Sequence, residues 1–374
     1  MTWITASSIY LVMENVKLDL GDGPETADKA VAIWLAVIAG MVAAMVIIGG
    51  ITRVTGSGLS MVEWRPILGW FPPLSAEEWQ RVFKLYQTSP EYKHINTWMD
   101  LSAFKRIFWW EYIHRLWGRL IGVVFFFPFV VFVATHKIKR RMLLRVCFLF
   151  FLGGVQGALG WWMVKSGLSS DPSVSQYRLA THLGVAFLIL GLLIWTILDL
   201  VGKRHTPGPK IMFYHANIVT ILIFVTVIGG ALVAGLKAGL IYNTFPLMDG
   251  RITPPDYFSL QPFWRNIFEN VGAVQFNHRV LAIITLLLVV SLCVCSRFLS
   301  YSELCLKPIY VMATLAGLQF LLGVLTLINF VPGLLAVAHQ FIGLCLFGTS
   351  VMISWSLSAK SNGYLKERSN AKFE

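Results

Sequence analysis

Residues 110–134 read W-E-Y-I-H-R-L-W-G-R-L-I-G-V-V-F-F-F-P-F-V-V-F-V-A. This is an apolar run of spanning length with a histidine near its start. A helix needs about 20 such residues to cross a bilayer. Seven further runs of this kind follow from hydropathy, so the eight spans are expected at 31–52, 110–134, 142–163, 178–200, 214–236, 274–297, 307–329 and 335–358. The runs are continuous and do not alternate, which predicts helices and not a membrane barrel. Composition agrees. Of 374 residues 56% are apolar and only 13% are charged, about half the charge of an average soluble protein. A disordered chain, a coiled coil and a secreted disulfide scaffold are excluded. The net charge of +12 does not imply nucleic acid, because the cations cluster in short stretches between the runs.

Those cations set an orientation. Lys137, Lys139, Arg140 and Arg141 lie between spans two and three, and Lys203, Arg204 and Lys210 between spans four and five. Lys360, Lys366, Arg368 and Lys372 follow the last span, whereas 164–177 holds only Lys165. The positive-inside rule places both termini in the cytoplasm. Residues 1–30, with Glu14, Asp19, Asp22, Glu25 and Asp28, read as a retained soluble tail, since a cleaved signal wants a basic start. Residues 359–374 read as a cytoplasmic tail. Two long loops, 53–109 and 237–273, then face outward. In the first, Ser75-Ala76-Glu77-Glu78 is a capping box opening a short helix. Its apolar side carries Trp79, Val82, Phe83 and Tyr86, which suits a position at the interface or over the mouth of the bundle.

Working outward from span two, the second half repeats the first. Glu111-Tyr112-Ile113-His114-Arg115 matches Gln275-Phe276-Asn277-His278-Arg279. Gly49-Gly50 matches Gly229-Gly230, each pair followed by a long loop. G-V-Q-G-A-L-G around Gln156 matches G-L-Q-F-L-L-G around Gln319, and T-H-L-G at His182 matches A-H-Q-F at His339. Four landmarks in one order indicate duplication. Each half has four spans, an even number, so both point the same way. The expected fold is all-α and polytopic: two tandem four-helix bundles, residues 31–200 and 201–358, related by a pseudo-two-fold axis along the membrane normal.

The repeat isolates the candidate site. Of eight histidines, His94, His136, His205 and His215 lie in loops or at span edges. His114, His182, His278 and His339 lie inside spans, two per half, each four or five residues from the outer end. That is on the order of 6–8 Å deep. Ionisable residues at membrane depth are functional candidates. A zinc or di-iron site would want carboxylates or cysteines nearby, and proton-relay histidines need not come in matched pairs. Two imidazoles facing one another in a four-helix bundle are the axial set of a low-spin haem, so two haem sites are expected. Gly118, Gly122, Gly184 and Gly191 would let a flat macrocycle or a neighbouring helix approach closely. Arg115 and Arg279 could pair with haem propionates.

The halves differ at one position. Glu111 stands one helical turn before His114, and its repeat partner is Gln275. A buried carboxylate beside a haem can take a proton or attack a carbon. The first half therefore reads as a reacting site and the second as a bound redox cofactor. Both sites lie toward the outer side, which argues against a haem wire across the membrane. None of the five cysteines, Cys147, Cys293, Cys295, Cys305 and Cys345, lies in a long loop, and no C-x-x-C occurs.

These motifs, with G-G-I-T-R-V-T-G-S-G-L-S-M-V-E-W at Gly49–Trp64, resemble the haem A synthase family over about residues 30–358. The likeness is greatest to its proteobacterial and mitochondrial branch, which lacks an outer-loop cysteine pair. The resemblance implies an oxidoreductase of the bacterial inner membrane that acts on a CH group. It would turn a methyl of haem O into the formyl of haem A for cytochrome oxidase, with water as oxygen source and an unnamed electron acceptor. It implies that His114 and His182 hold haem O, that His278 and His339 hold a haem b cofactor, and that Glu111 is the catalytic carboxylate. It also implies haem O synthase as the delivering partner. Two alternatives are a dihaem electron-transfer protein of the quinol or ferric reductase type and a haem transporter or chaperone.

Overall fold

The computed structural model describes residues 26–64, 69–169, 172–202, 209–298 and 303–358, without the side chains of 26, 141 and 303–305. The acidic residues before Thr26, Lys203, Arg204, His205, the C-terminal cations and the Cys305 side chain lie outside these. The described residues form ten α-helices: α1 (Thr26–Val54), α2 (Ala76–Gln87), α3 (Pro90–His94), α4 (Leu101–Ala134), α5 (Arg140–Gly167), α6 (Gln176–Val201), α7 (Lys210–Gly235), α8 (Val271–Phe298), α9 (Glu303–Ile328) and α10 (Gly333–Leu357). Eight of them are long and apolar enough to cross a membrane, and they are the eight expected from hydropathy. No strand occurs among the described residues.

Helix α4 departs most from expectation. It starts at Leu101, nine residues before the predicted span, with the Asp100 carboxylate accepting from the Ala103 N–H at 2.7 Å. Lys105 and Arg106 break the apolar run, yet the helical period continues through Ala103, Phe104 and Phe108, which are buried. That extra face is covered by α2. Ser75 caps α2 by accepting from the Glu78 N–H at 3.1 Å. Trp79, Phe83 and Tyr86 of α2 then pack on Phe104 and Phe108, with ring centroids 5.0–5.2 Å apart for the pairs Trp79–Phe108, Phe83–Phe104 and Tyr86–Phe104. The predicted loop helix thus sits on the long-loop end of the bundle.

The spanning helices pack as two rings. In the first half α1 packs on α4 and α6, and α6 packs on α5. In the second, α7 packs on α8 and α10, and α10 packs on α9. Helices α1, α6, α7 and α10 meet between the halves. With no hydrophobic drive between helices in lipid, buried polar contacts and small residues hold such interfaces. The Gln340 amide donates to the Val46 carbonyl at 2.6 Å, and Arg53 donates to the carbonyl of Ala234, both joining the halves. A side chain at Gly50 would collide with Gln340. At the opposite, short-loop end, Arg145 pairs with Asp199 at 2.6 Å, which also accepts from the Trp355 indole at 2.7 Å. Lys139 pairs with Asp28 at 2.9 Å.

Candidate functional site

All four span histidines stand toward the long-loop ends of α4, α6, α8 and α10, and they fall in two pairs. His114 and His182 are within electrostatic range of each other, and so are His278 and His339. Each ring lies against a glycine of the neighbouring helix. A Cβ at Gly49 would stand 3.2 Å from His114, at Gly160 3.1 Å from His182, at Gly230 3.1 Å from His278, and at Gly323 2.9 Å from His339. Any side chain there would push on an imidazole. The four glycines, not Gly184 and Gly191, are therefore the ones that seat the rings. Gly184 meets Ile228 and Gly191 meets Phe347, so these two serve helix packing. Gly118 meets Met45, while Gly122 meets nothing within 4 Å.

The second histidine of each pair bonds the glutamine on the preceding spanning helix, through its ring in the second half and through its backbone in the first. In the second half His339 Nδ1–H donates to the Gln319 carbonyl at 3.1 Å. This leaves a lone pair at Nε2, where the Gln319 amide lies at 3.3 Å. A ring held at Nδ1 keeps its lone pair at Nε2, the atom a metal-bound imidazole uses, and here that lone pair accepts from the Gln319 amide. In the first half the Gln156 amide donates to the His182 backbone carbonyl at 2.9 Å. His182 Nδ1 and His278 Nδ1 are buried and have no hydrogen-bond partner. One buried, unpartnered imidazole nitrogen in each pair, an imidazole-only donor set and glycine seats together fit haem held by two axial histidines.

The remaining histidines do not join them. His94 and His136 are exposed. His215 lies inside α7 with Nε2 buried and unpartnered, which places it deeper than the span edge expected. Cys147, Cys293, Cys295 and Cys345 are free.

Glu111 is buried and bound on both oxygens. Oε2 accepts from the Ser60 hydroxyl and the Met61 N–H, both at 2.7 Å. Oε1 pairs with Arg115 at 2.5 Å. Arg115 also donates to the carbonyls of Met61 at 2.8 Å and Glu63 at 3.0 Å. The stretch Gly49–Trp64 is thus folded back onto the helix that carries His114. Gln275 and Arg279 hold the second long loop in the same way but with reversed polarity. The Gln275 amide donates to the carbonyls of Ala238 at 2.8 Å and Ile241 at 2.5 Å, and its oxygen accepts from Arg279 at 3.0 Å. Arg279 also donates to Tyr242 at 2.6 Å and Thr244 at 2.9 Å. Beside Arg115 a cavity of about 180 Å³ is lined by Met61, Trp64, Trp161 and Lys165, among others. Its cations are backed by rings, Arg115 over Trp64 and Lys165 over Trp161.

The model of the COX15-CtaA family, described as cytochrome oxidase assembly protein, matches residues 32–351. The chain belongs to that family. The haem A synthase of Nitrosospira multiformis is 44% identical over 333 residues, covering 88% of this chain and 94% of the relative. That of Parvibaculum lavamentivorans is 46% identical, covering 86% and 92%. That of Rhodospirillum centenum is 44% identical, covering 92% and 93%. The match runs through every spanning helix but the tails, so both imidazole pairs and both long loops lie within the cytochrome oxidase assembly family's shared region.

Proposed function

We propose that the protein is a haem A synthase that oxidises a methyl group of haem O to a formyl group. The observation that carries this reading is the difference between two otherwise parallel sites: an imidazole pair with a carboxylate one turn away, and an imidazole pair with an amide there. His114 and His182 hold the substrate haem O. His278 and His339 hold haem b as cofactor. Arg115 and Arg279 are the residues assigned to the haem propionates, and Lys165 adds a second cation to the cavity beside Arg115.

The reaction is methyl plus water giving formyl, four protons and four electrons, in two steps through the alcohol and the hydrated aldehyde. Water supplies the oxygen, and the electrons leave to an acceptor outside the chain. Haem b, when bound, supplies one-electron relay chemistry. Glu111 has the part of proton acceptor. Its bonds to Ser60, Met61 and Arg115 fix its direction, and the Ser60 hydroxyl offers a first relay for a proton. The long-loop end, with both sites, faces outward; the termini are cytoplasmic, and the halves are related by a pseudo-two-fold axis along the normal. The parallel contacts of α1 with α4 and α6 and of α7 with α8 and α10 support that symmetry.

Pigment analysis tests the reading. Protein purified from cells that make haem O should yield haem b with haem O or haem A; from cells lacking haem O it should yield haem b alone. Haem b at both sites under both conditions would point to a dihaem electron carrier. Reporter fusions within 136–141 should report cytoplasm and fusions within 85–95 the outside.

A further inference from the structure

The two halves differ along the faces of α4 and α5 below the first imidazole pair. Gly122 on α4 and Gly153, Gly154 and Gly157 on α5 are exposed, and a Cβ at any of them would meet nothing within 4 Å. Helices α4 and α5 touch little along their lengths, whereas α8 and α9 pack closely. Their contact is a rung of rings: Phe150 lies 5.4 Å from Phe125 and 6.2 Å from Phe129, centroid to centroid. That rung sits one turn below the glycines. One turn above Gly157, Gly160 meets His182, whose Nδ1 is buried and unpartnered. A lateral slot therefore runs from the imidazoles down to the rung, about 12 Å along α4 from His114 to Gly122.

The repeat fills the same positions in the second half. Leu286 replaces Gly122, Ala316 replaces Gly153 and Phe320 replaces Gly157; only Gly154 keeps its counterpart, Gly317. Leu286 and Ala316 join the core. Phe320 is covered edge-on by Phe245 of the second long loop at 5.8 Å. One half keeps open what the other has packed.

We propose that this slot receives the isoprenoid tail of the substrate haem, and that Phe320 closes the second site to any haem bearing such a tail. The proposal rests on the first half being the haem O site. In haem O the tail leaves the macrocycle on the edge opposite its carboxylates. Carboxylates held at the cavity of Arg115 and Lys165 would send the tail away from the mouth, toward the glycines. In lipid the tail gains no hydrophobic free energy by entering the slot. The gain is packing, many weak dispersion contacts against bare backbone, so the expected preference for a tailed haem is modest, about tenfold.

The test is titration of the purified full-length protein, haem b in its second site, with haem O and with tail-less protohaem. The readout is the ratio of the two affinities at the first site. Wild type should favour haem O by about tenfold. Gly157→Phe, which copies Phe320, should bring the ratio to about one while protohaem affinity and the second-site spectrum persist. Gly157→Leu gives the same readout should the larger ring disturb the second-site spectrum. An unchanged ratio overturns the slot, and so does equal loss of both haems with the second site intact. Wild type that neither binds nor converts haem O overturns the synthase reading itself.

Discussion

Glu111 and Gln275 each stand one turn before a span histidine and each bind a long loop, but they do opposite things with that loop's hydrogen bonds. Glu111 accepts from a hydroxyl and a backbone N–H of the first long loop. Gln275 donates to two backbone carbonyls of the second. Each loop has turned the complementary face toward its helix. The difference is therefore larger than one titratable group. A carboxylate suits the first loop electrostatically, and only an amide satisfies the second. One half is built around an acceptor, with an open α4–α5 face, and the other around a donor, with the α8–α9 face packed.

The harshest way to break this comparison is to remove an imidazole. His278→Ala or His339→Ala should abolish the resident haem b spectrum, because either change removes one of the two axial ligands of the pair. His114→Ala should leave that spectrum intact and abolish haem O binding. Optical spectra of purified variants decide it, and a full haem b signal in both second-half variants would reverse the assignment of the halves.

The second largest effect belongs to Glu111→Gln. The amide retains an oxygen to accept from Ser60 or Met61, but it presents N–H donors to the remaining donors of the site. Conversion to haem A should fall on the order of 10²–10⁴-fold, the range for losing a general base. Haem O should remain bound through His114 and His182, and the partly oxidised alcohol should accumulate. Haem extraction and chromatography at matched protein levels measure this. Normal haem A yield would leave Glu111 as a strut for the Gly49–Trp64 loop.

The reverse exchange, Gln275→Glu, sharpens the comparison without touching the reaction. It sets a carboxylate against the carbonyl oxygens of Ala238 and Ile241, two acceptors that then lose their donor. Leaving buried polar groups unsatisfied costs about 1–3 kcal/mol. Thermal loss of the haem b spectrum should come earlier, while haem A formation at low temperature persists. Equal thermal stability would show that the polarity of the two loops is not what distinguishes them.

Which of these features could be read in the sequence follows from the range of each interaction. Hydropathy is local, so all eight spans were legible, and so was the α2 cap at Ser75. The repeat exposed the four histidines and the Glu111–Gln275 difference. The first nine residues of α4 were hidden because Lys105 and Arg106 interrupt the apolar run, and only the packing of Trp79 and Tyr86 shows why the helix continues. Gly160 and Gly323 close the two glutamine motifs, but their task depends on which helices are neighbours, and no local period carries that. Of the partners of Glu111, Arg115 follows from helical spacing, but Ser60 and Met61 come from about fifty residues upstream, beyond the reach of any such rule.

The smallest effect concerns the loops that cover the two halves, whose carboxylates titrate in opposite senses. In the first loop Glu91 is buried beneath α2, accepting from the Tyr86 hydroxyl at 3.0 Å. Burial pushes its carboxyl up to about 7, with the charge of Glu111 adding to the rise and the Tyr86 bond opposing it. In the second loop Glu269 is held below the usual carboxylate range by its bonds from Arg265 and Tyr177. A raised carboxyl stabilises the fold fully below its unfolded value, and that stability is lost as pH rises through about 7. A lowered one stabilises above its unfolded value and is lost as pH falls. The segment 76–99 should therefore open more readily at pH 8 than at pH 6, by about three- to tenfold. The segment around Glu269 should show no change across that interval, since its loss lies at acid pH. Glu91→Gln keeps an oxygen for the Tyr86 hydroxyl and removes the charge, so the first loop should become as flat as the second. Hydrogen exchange of peptides from 76–99 and 257–270, in wild type and variant at both pH values, measures the contrast directly. A first loop equally protected at pH 6 and pH 8 in the wild type would mean that Glu91 carries its charge without cost, and that the two loops answer to pH alike.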